Sequence, residues 1–541
     1  MKTIAVGLLA LLLTPVAFAT PPAAPIVTVG AGLKQLQFDW NYVPRAGHYE
    51  VWFRSNPGAA WAKFADTPSW RPRANVNVSA HLLHWVEARF IIKACNPSGC
   101  TCSDEISVEH LMRDTVGYFK SSTPINTGQN GLGEKVAMSE DGSTLAAQFL
   151  RRSDGAVIVF RKLATGWAEE ALLVPMAVGG ASSGGHPPAP ASFAINSVGT
   201  VIAVGYPQEV RPDTDPGESP DIGAVYLFRR GPGGWVQEQR LASSNSSTED
   251  AYGRFVSLDA SGTTLAVSRR WGEGKTAGQA NQQQGPVELF RHAETGWVPL
   301  ATVPVMDDKC YSIALSGDGR TLVRNCSMIV EVLRAPNWQR VADFPLPTQG
   351  MNEFHSPWPY ERGITINFDG RSFAARSVKM DAGGVDFLAS VSIYRERDTG
   401  WVQEASVRPG DWMPPGVVDE SPGNYGTTLS LSRDGRFLAV GSSTDRALGS
   451  GVLYPPIESI SDNRNGAVYV YERKPTGWRL RQFIKPNFPG YPYPYFGADV
   501  SLARNGKDLA VGAPGDASNA LGIDGDQEDM STPNRGALWL Y

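Results

Sequence analysis

Basic charge is in deficit: 49 Lys and Arg stand against 54 Asp and Glu, for a net charge of −5. A chain so balanced lacks the attraction to phosphate backbones that nucleic-acid binding requires, which excludes that class of partner. Histidine is also scarce. His48, His81, His84, His110, His186, His292 and His355 are all there are, and none stands in an HExxH or similar ligand spacing. No G-x-S-x-G elbow and no P-loop occur, and "GAGLKQ" and "GEGKTAG" have glycines without the phosphate-loop spacing. Cysteine is limited to five residues with no paired CxxC of the structural zinc type. Long hydrophobic runs are missing except at the front. There "MKTIAVGLLALLLTPVAFAT" has one Lys, an apolar core from Ile4 to Leu13 and Ala17-Phe18-Ala19, the form of a secretory signal cleaved near Ala19. That core is too short to span a bilayer. The expected mature chain is exported, in the periplasm, at the cell surface or released, with residues 1–19 removed.

An exported chain favours disulfides. Cys310 and Cys326 bracket "CYSIALSGDGRTLVRNC", which reads as a hairpin that would bring them together. Within "ACNPSGCTC" the preferred pair is Cys95 with Cys100, leaving the pairing of Cys102 open.

Glycine, proline and aromatics are abundant: 57 Gly, 40 Pro, 15 Trp, 17 Tyr and 21 Phe. They are arranged in a repeat. "MSEDGSTLAA" from Met138 returns as "INSVGTVIAV", "LDASGTTLAV", "LSGDGRTLVR", "INFDGRSFAA", "LSRDGRFLAV" and "LARNGKDLAV". Gly142, Gly199, Gly262, Gly319, Gly370, Gly435 and Gly506 occupy its fifth place. Glycine there accepts the positive φ of a tight turn, and a preceding Asp or Asn bonds to local amides. A Val- and aromatic-rich run follows each copy, such as "GAVYLFRR" from Gly223, and then in six units a Gly-Trp or Asn-Trp step opens a more polar segment. Four strands per unit, apolar inside and polar outside, predict the blade of a β-propeller. Seven turns predict seven blades. The chain ends at Tyr541 after the third strand of the last unit, so Val116–Ser122, "VGYFKSS", is expected to supply the missing strand and close the ring.

With Phe496-Gly497 before the last turn and Gly512-Ala513-Pro514 after it, the region from Val116 to Tyr541 resembles the FG-GAP repeat family, the propeller shared with integrin alpha chains. Tyr252-Gly253, Tyr425-Gly426 and Gly205-Tyr206-Pro207 are partial matches. In many members the turn is a calcium loop with an Asp triad. Here "SEDGST", "SGDGRT" and "SRDGRF" each hold one acid, and Asp508, at the closing position, follows "LARNGK", so calcium is not carried over to the turns. The last insert, "GDASNALGIDGDQEDMSTPNRG", collects Asp516, Asn519, Asp524, Asp526, Glu528 and Asp529. It is either a calcium site, if these oxygens converge, or a solvated acidic loop. No other cofactor is expected.

Residues 24–111 lack the repeat. "LKQLQFDWNYV" and "HYEVWFRS" alternate as strands, the latter with Tyr49, Val51 and Phe53 on one face. Several short strands in under a hundred residues suggest a small β-sandwich. Trp40, Tyr49 and "ACNPSGCTCS" give it a resemblance to a fibronectin type III module. The expected organisation is therefore all-β: a fibronectin III-like β-sandwich at 24–111, a short linker at Met112–Thr115 and a seven-bladed propeller at 116–541.

Aromatic, proline-rich stretches join the units: "HSPWPYERG" with Trp358 and Tyr360, and "NFPGYPYPYFG" with Tyr491, Tyr493 and Tyr495. They either stack on sugars or a protein partner, or pack as lids over the blades. The function expected is non-enzymatic recognition or adhesion through these loops, with a protein or glycan as partner. A polysaccharide lyase or hydrolase and a purely structural surface protein are the alternatives.

Overall fold

The computed structural model describes residues 20–83, 85–123, 131–151, 154–176, 190–209, 223–243, 252–270, 284–304, 310–326, 329–345, 363–380, 387–409, 424–453, 464–487, 494–532 and 535–541. The proposed signal segment lies outside them, as do Trp358, Tyr360, Tyr491 and Tyr493. The chain forms two compact units, Met1–Val78 with Leu83–Thr115, and Ser79–Leu82 with Val116–Tyr541. Among the described residues no helix is long and apolar enough to cross a membrane.

The described residues of the first unit form eight strands: β1 Val27–Gly32, β2 Gln35–Trp40, β3 His48–Arg54, β4 Ala62–Pro68, β5 Arg73–Asn77, β6 Arg89–Asn96, β7 Gly99–Cys102 and β8 Ile106–Ser107. One sheet runs β1-β2-β5 and the other β4-β3-β6-β7, with β8 also on β6. Alternation sends Leu36, Phe38, Tyr49, Val51, Val76, Phe90 and Ile92 inward, each essentially without exposure. Phe38 meets Phe90 at 5.1 Å between ring centres, and Trp40 meets Tyr49 edge-on at 5.2 Å. Cys95 and Cys100, opposite one another on β6 and β7, are disulfide-bonded, and Cys102 is free and exposed. The stretch expected as a linker is wound instead, with an α-helical turn at Glu109–Met112 and a 3-10 turn at Arg113–Thr115.

The described residues of the second unit form seven antiparallel sheets. The first shows the plan, with Leu132–Met138, Thr144–Arg151, Asp154–Leu163 and Gly166–Leu173 pairing in chain order. The next four repeat it. The innermost strands of consecutive sheets touch, and that of the seventh touches that of the first, so the sheets close on themselves. This is a β-propeller-type fold, all-β with almost no helix. The seventh sheet takes its outer strand from the front of the unit. Val500–Ala503, Asp508–Ala513 and Ala537–Leu540 are followed by Gly117–Phe119, with Leu538 opposite Phe119 and Leu540 opposite Gly117.

Turn chemistry makes the ring. Gly142 has φ 68 and Gly199 φ 64, values an L side chain adopts only with strain. The Asp before the glycine bonds a local amide as expected, Asp141 Oδ1 accepting from Ser143 N at 2.9 Å, and in most turns the first residue adds to this. The Ser139 hydroxyl accepts from Thr144 N at 3.0 Å, and Asn196 Oδ1 accepts from Thr200 N and Val201 N at 2.7 and 2.9 Å. The turns then link to each other. Asp141 N donates to Ser197 O, Ser197 N to Ala260 O, Ala260 N to Gly317 O, Asp318 N to Phe368 O, Phe368 N to Arg433 O and Arg504 N to Glu140 O, all at 2.9–3.2 Å. Hydroxyls join the inner strands as well: Leu315 N donates to Ser257, Leu431 N to Thr365, Leu502 N to Ser430 and Met138 N to Ser501.

The outer strands are joined by a second device. In those of the first six sheets the ladder slips by one residue, leaving Glu170, Glu238 and Glu404 unpaired in the first, second and fifth. Such a bulge re-aims a side chain. Each of these glutamates reaches the next sheet and accepts from the indole of its Gly-Trp step: Trp235 to Glu170 at 2.9 Å, Trp297 to Glu238 at 3.3 Å and Trp478 to Glu404 at 3.0 Å. Arg230, His292 and Arg473 of the same next sheets complete the clasps. Where the bulge residue is Val341, Trp401 Nε1 is buried without a partner. Trp167, facing the closing strand, is in the same position and packs edge-on against Phe119.

Candidate recognition site on the sixth and seventh sheets

Two sheets depart from the four-strand plan in the same way. In the sixth, Leu429–Leu431, Phe437–Ser442, Ala467–Lys474 and Gly477–Lys485 are joined by a fifth strand, Gly451–Leu453, which pairs outside Gly477–Lys485. The insert between the second and third strands thus returns to cover the sheet's outer edge. The seventh does likewise. Lys120 N donates to Gly522 O, Asp524 N donates to Tyr118 O, both at 2.7 Å, and Phe119 bridges Ile523. The outer strands expected to face water are covered in both.

An acid at a fixed place in each sheet anchors the insert. Asp445 is buried beside Lys485, with Nζ 3.0 Å away, while Tyr469 OH donates to it at 2.6 Å and Ala447 N at 3.0 Å. Asp516 repeats this. Lys120 Nζ and Tyr118 OH each lie 2.6 Å from it and Ser518 N lies 3.1 Å away. In the second sheet Glu209 takes the same place, with Arg240 Nε at 2.8 Å. Burial presses the Lys120 ammonium below its usual range, with Asp516 working against it, and raises the Tyr118 phenol, as does Asp516. A lysine therefore holds the position next to Asp516 that a cation would take.

This arrangement bears on the calcium expectation. Asp516 is engaged by Lys120. Asp524 Oδ1 accepts from Tyr118 N, with its carboxyl raised by burial, while Asp526 accepts from Glu528 N and Asp529 from Ser531 N. Among the described residues, Asp516, Asp524, Asp526, Glu528 and Asp529 form no group of three donors near enough to share an ion. Asp516 and Asp524 serve the closing strand, Asp526 and Asp529 their own loop, and among the described residues the structure does not bring them together as a calcium set.

The site itself lies where the two sheets meet. Gln527, from the seventh sheet's insert, accepts from Trp539 Nε1 at 3.4 Å and from Asn487 Nδ2 at 3.5 Å, joining the end of the sixth sheet's outer strand to the seventh's third strand. Asn487 lies two residues past that outer strand and Asn465 two residues before the sixth sheet's third strand, its backbone carbonyl accepting from Phe496 N at 3.2 Å. Both side chains are buried, and among the described residues the Oδ1 of each has no hydrogen-bond partner. A buried carbonyl oxygen without a donor costs about 1–3 kcal/mol. From Asn487 the chain enters the stretch carrying Tyr491 and Tyr493 and re-enters the described residues at Pro494, whose carbonyl accepts from Gly515 N at 3.0 Å. Tyr495 follows, half-buried, with φ 54. Nothing in the sequence marks these two amides, since "NRNG" and "KPNFPG" have ordinary loop composition.

One further expectation concerns cysteines. Cys326 is disulfide-bonded, and Cys310 stands opposite it across the hairpin of the fourth sheet. No protein-family model matches the chain, and no curated protein matches it. Among solved structures, similarity is found to Sqt1 from Chaetomium thermophilum, with 13% identity, 77% of this chain and 88% of that one covered, and a TM-score of 0.43. Saccharomyces cerevisiae Sqt1 (10%, 73% and 82%, TM-score 0.40) and a chain from the crystal structure of the mitotic checkpoint complex (12%, 73% and 87%, TM-score 0.40) are also similar.

Proposed function

We propose that this chain is an exported, non-enzymatic recognition protein: a fibronectin III-like module followed by a seven-bladed FG-GAP-like propeller that binds a hydroxyl-rich glycan at the junction of the sixth and seventh sheets. The FG-GAP reading is supported by close packing between neighbouring sheets. A Cβ on Gly441 would strike the carbonyl of Gly497, and one on Gly512 that of Gly133, so the paired glycines are what let the sheets abut. The fibronectin III-like reading is supported by the three- and four-strand orders of the front sheets.

One observation carries the choice of ligand: the unpartnered carbonyl oxygens of Asn465 and Asn487 at the base of the loop bearing Tyr491, Tyr493 and Tyr495. Two neutral acceptors suit sugar hydroxyls, and tyrosine rings suit the apolar face of a pyranose. A metal is a poorer fit, because Lys485 already supplies the positive charge nearby.

The test is an array of neutral glycans and peptides probed with the mature chain, followed by Asn487→Leu. Loss of at least about tenfold in affinity, or 1.4 kcal/mol, with a Tm close to the native value, is the expected result, because the variant removes an acceptor the fold leaves unsatisfied along with the long 3.5 Å bond to Gln527. Undiminished glycan binding by Asn487→Leu overturns the site, and hits confined to peptides overturn the ligand class.

A further inference from the structure

The outer face of the front unit's larger sheet holds a set of metal donors that sequence spacing hides. His48 on β3 stands opposite Cys95 on β6, which stands opposite Cys100 on β7. In the next row Glu50 stands opposite Lys93, and Lys93 opposite Cys102. Alternate residues of a strand share a face, and so do directly opposed ones, so all six side chains project to one side. A ring nitrogen of His48, a carboxylate oxygen of Glu50 and the sulfur of Cys95 lie within 4.8 Å of one another. Lys93 does not occupy the centre of this set. Its ammonium lies 3.8 Å from the centre of the Trp52 ring, further along β3 from His48.

We propose that this face is a redox-gated site for a thiophilic divalent cation, with Zn²⁺ the natural occupant. While Cys95 and Cys100 are bonded, neither offers a thiolate, and His48 with Cys102 is too small a set. A dithiol reductant opens it. Two electrons and two protons pass to the Cys95–Cys100 sulfurs, the S–S bond breaks to two thiols, and the reductant is left as its own disulfide. Register puts Cys95, Cys100 and His48 in one row and Cys102 in the next, so once their side chains turn to a common centre they offer three sulfurs and one nitrogen, a tetrahedral zinc set, and binding releases the three thiol protons. Glu50 acts from behind. It is held by Lys63 at 2.8 Å and Trp52 Nε1 at 2.7 Å, and its Oε1 lies 3.6 Å from His48 Nε2, where a carboxylate orients a ligating imidazole. The reducing compartment or partner thus decides whether this face is a covalent brace or a metal centre.

The experiment uses the full mature chain. It is reduced with a phosphine, freed of reductant under argon and titrated with Zn²⁺ against a chromogenic chelator, with Co²⁺ replacing zinc for spectroscopy. Reduction also opens the bond at Cys326, so a Cys95→Ser/Cys100→Ser variant measures the background. The expected result is one Zn²⁺ per reduced chain above that background, none in the oxidised chain, and tetrahedral Co²⁺ bands with intense thiolate charge transfer. Cys102→Ser and His48→Ala, both at exposed positions, should each weaken binding by at least about tenfold. Reduced protein that binds no more zinc than the background variant overturns the proposal. So does equal affinity in Cys102→Ser and His48→Ala, which would reduce the site to an ordinary thiol pair.

Discussion

The sixth and seventh sheets solve one packing problem with differently connected chain. In the sixth, Lys485 reaches Asp445 from an outer strand tied to its neighbour by the tight turn between Lys474 and Gly477. In the seventh, Lys120 reaches Asp516 from a strand nearly 400 residues earlier in sequence, held to Ala537–Leu540 by pairing alone. Both acids receive a tyrosine hydroxyl and the amide two residues on, and both inserts lay main chain over the outer edge from six residues after the acid, as a strand at Gly451 and as a bridge beside Gly522. The clasp belongs to a place in the sheet rather than to a route through the chain. What differs is how much each sheet depends on it.

That dependence gives the largest expected effect. Lys120→Ala and Lys485→Ala each leave a buried carboxylate without its cation, at a cost of about 3–5 kcal/mol. Denaturant unfolding should show similar losses, but amide exchange should separate the two. Lys120→Ala frees a strand with no covalent tie to its sheet, so protection falls across Ala537–Leu540. In Lys485→Ala the turn keeps the strand in place, and Ala467–Lys474 stays protected. Equal exchange in both sheets would break the comparison.

A smaller effect tests what the sixth sheet has and the seventh lacks: a glutamate clasp to its neighbour. Burial works to raise the Glu404 carboxyl, but hydrogen bonds from Arg473 and Trp478 outweigh it and hold the group below its ordinary range. A carboxyl depressed in the folded state adds stability above its unfolded value of about 4.3, and that stability is lost as pH falls through the lower folded value. Glu404→Gln should therefore cost about 1–3 kcal/mol at pH 7. The gap from the native chain should narrow only below about pH 4.3, as followed by Tm against pH. A gap constant down to pH 2 would assign the effect to packing.

How much of this could be read in advance follows from the range of each signal. The turns and strands were legible because glycine and apolar alternation act within ten residues, and the closing strand because the last unit ended one strand short. The clasps were written as "GWAEE" and "GWVQE", with Glu170, Glu238 and Glu404 in fixed register to the tryptophan. In an outer strand they read as water-facing charge, since nothing local announces that a bulge turns them toward the next sheet. The inserts share Asp, then Gly-Val or Gly-Ile six residues later, but their different lengths hide the match. The donor row of the front sheet exists only once β3, β6 and β7 are in register, so no spacing rule could find it.

The smallest expected effect completes one of the seams that lack a clasp. Trp401 Nε1 is buried without a partner because the bulge residue facing it is Val341, half exposed. Glutamate is the wrong repair. Where the clasped seams place Arg230, His292 or Arg473 beside the acid, the fifth sheet has Glu396, already paired with Arg334 at 2.8 Å. A second carboxylate there would be repelled. Val341→Gln offers the same acceptor without the charge and should raise stability by about 0.5–1.5 kcal/mol, while Val341→Glu gains less or loses. If both variants destabilise equally, the indole needs no acceptor and its ring contacts with Phe344 and Phe373 are what hold that seam.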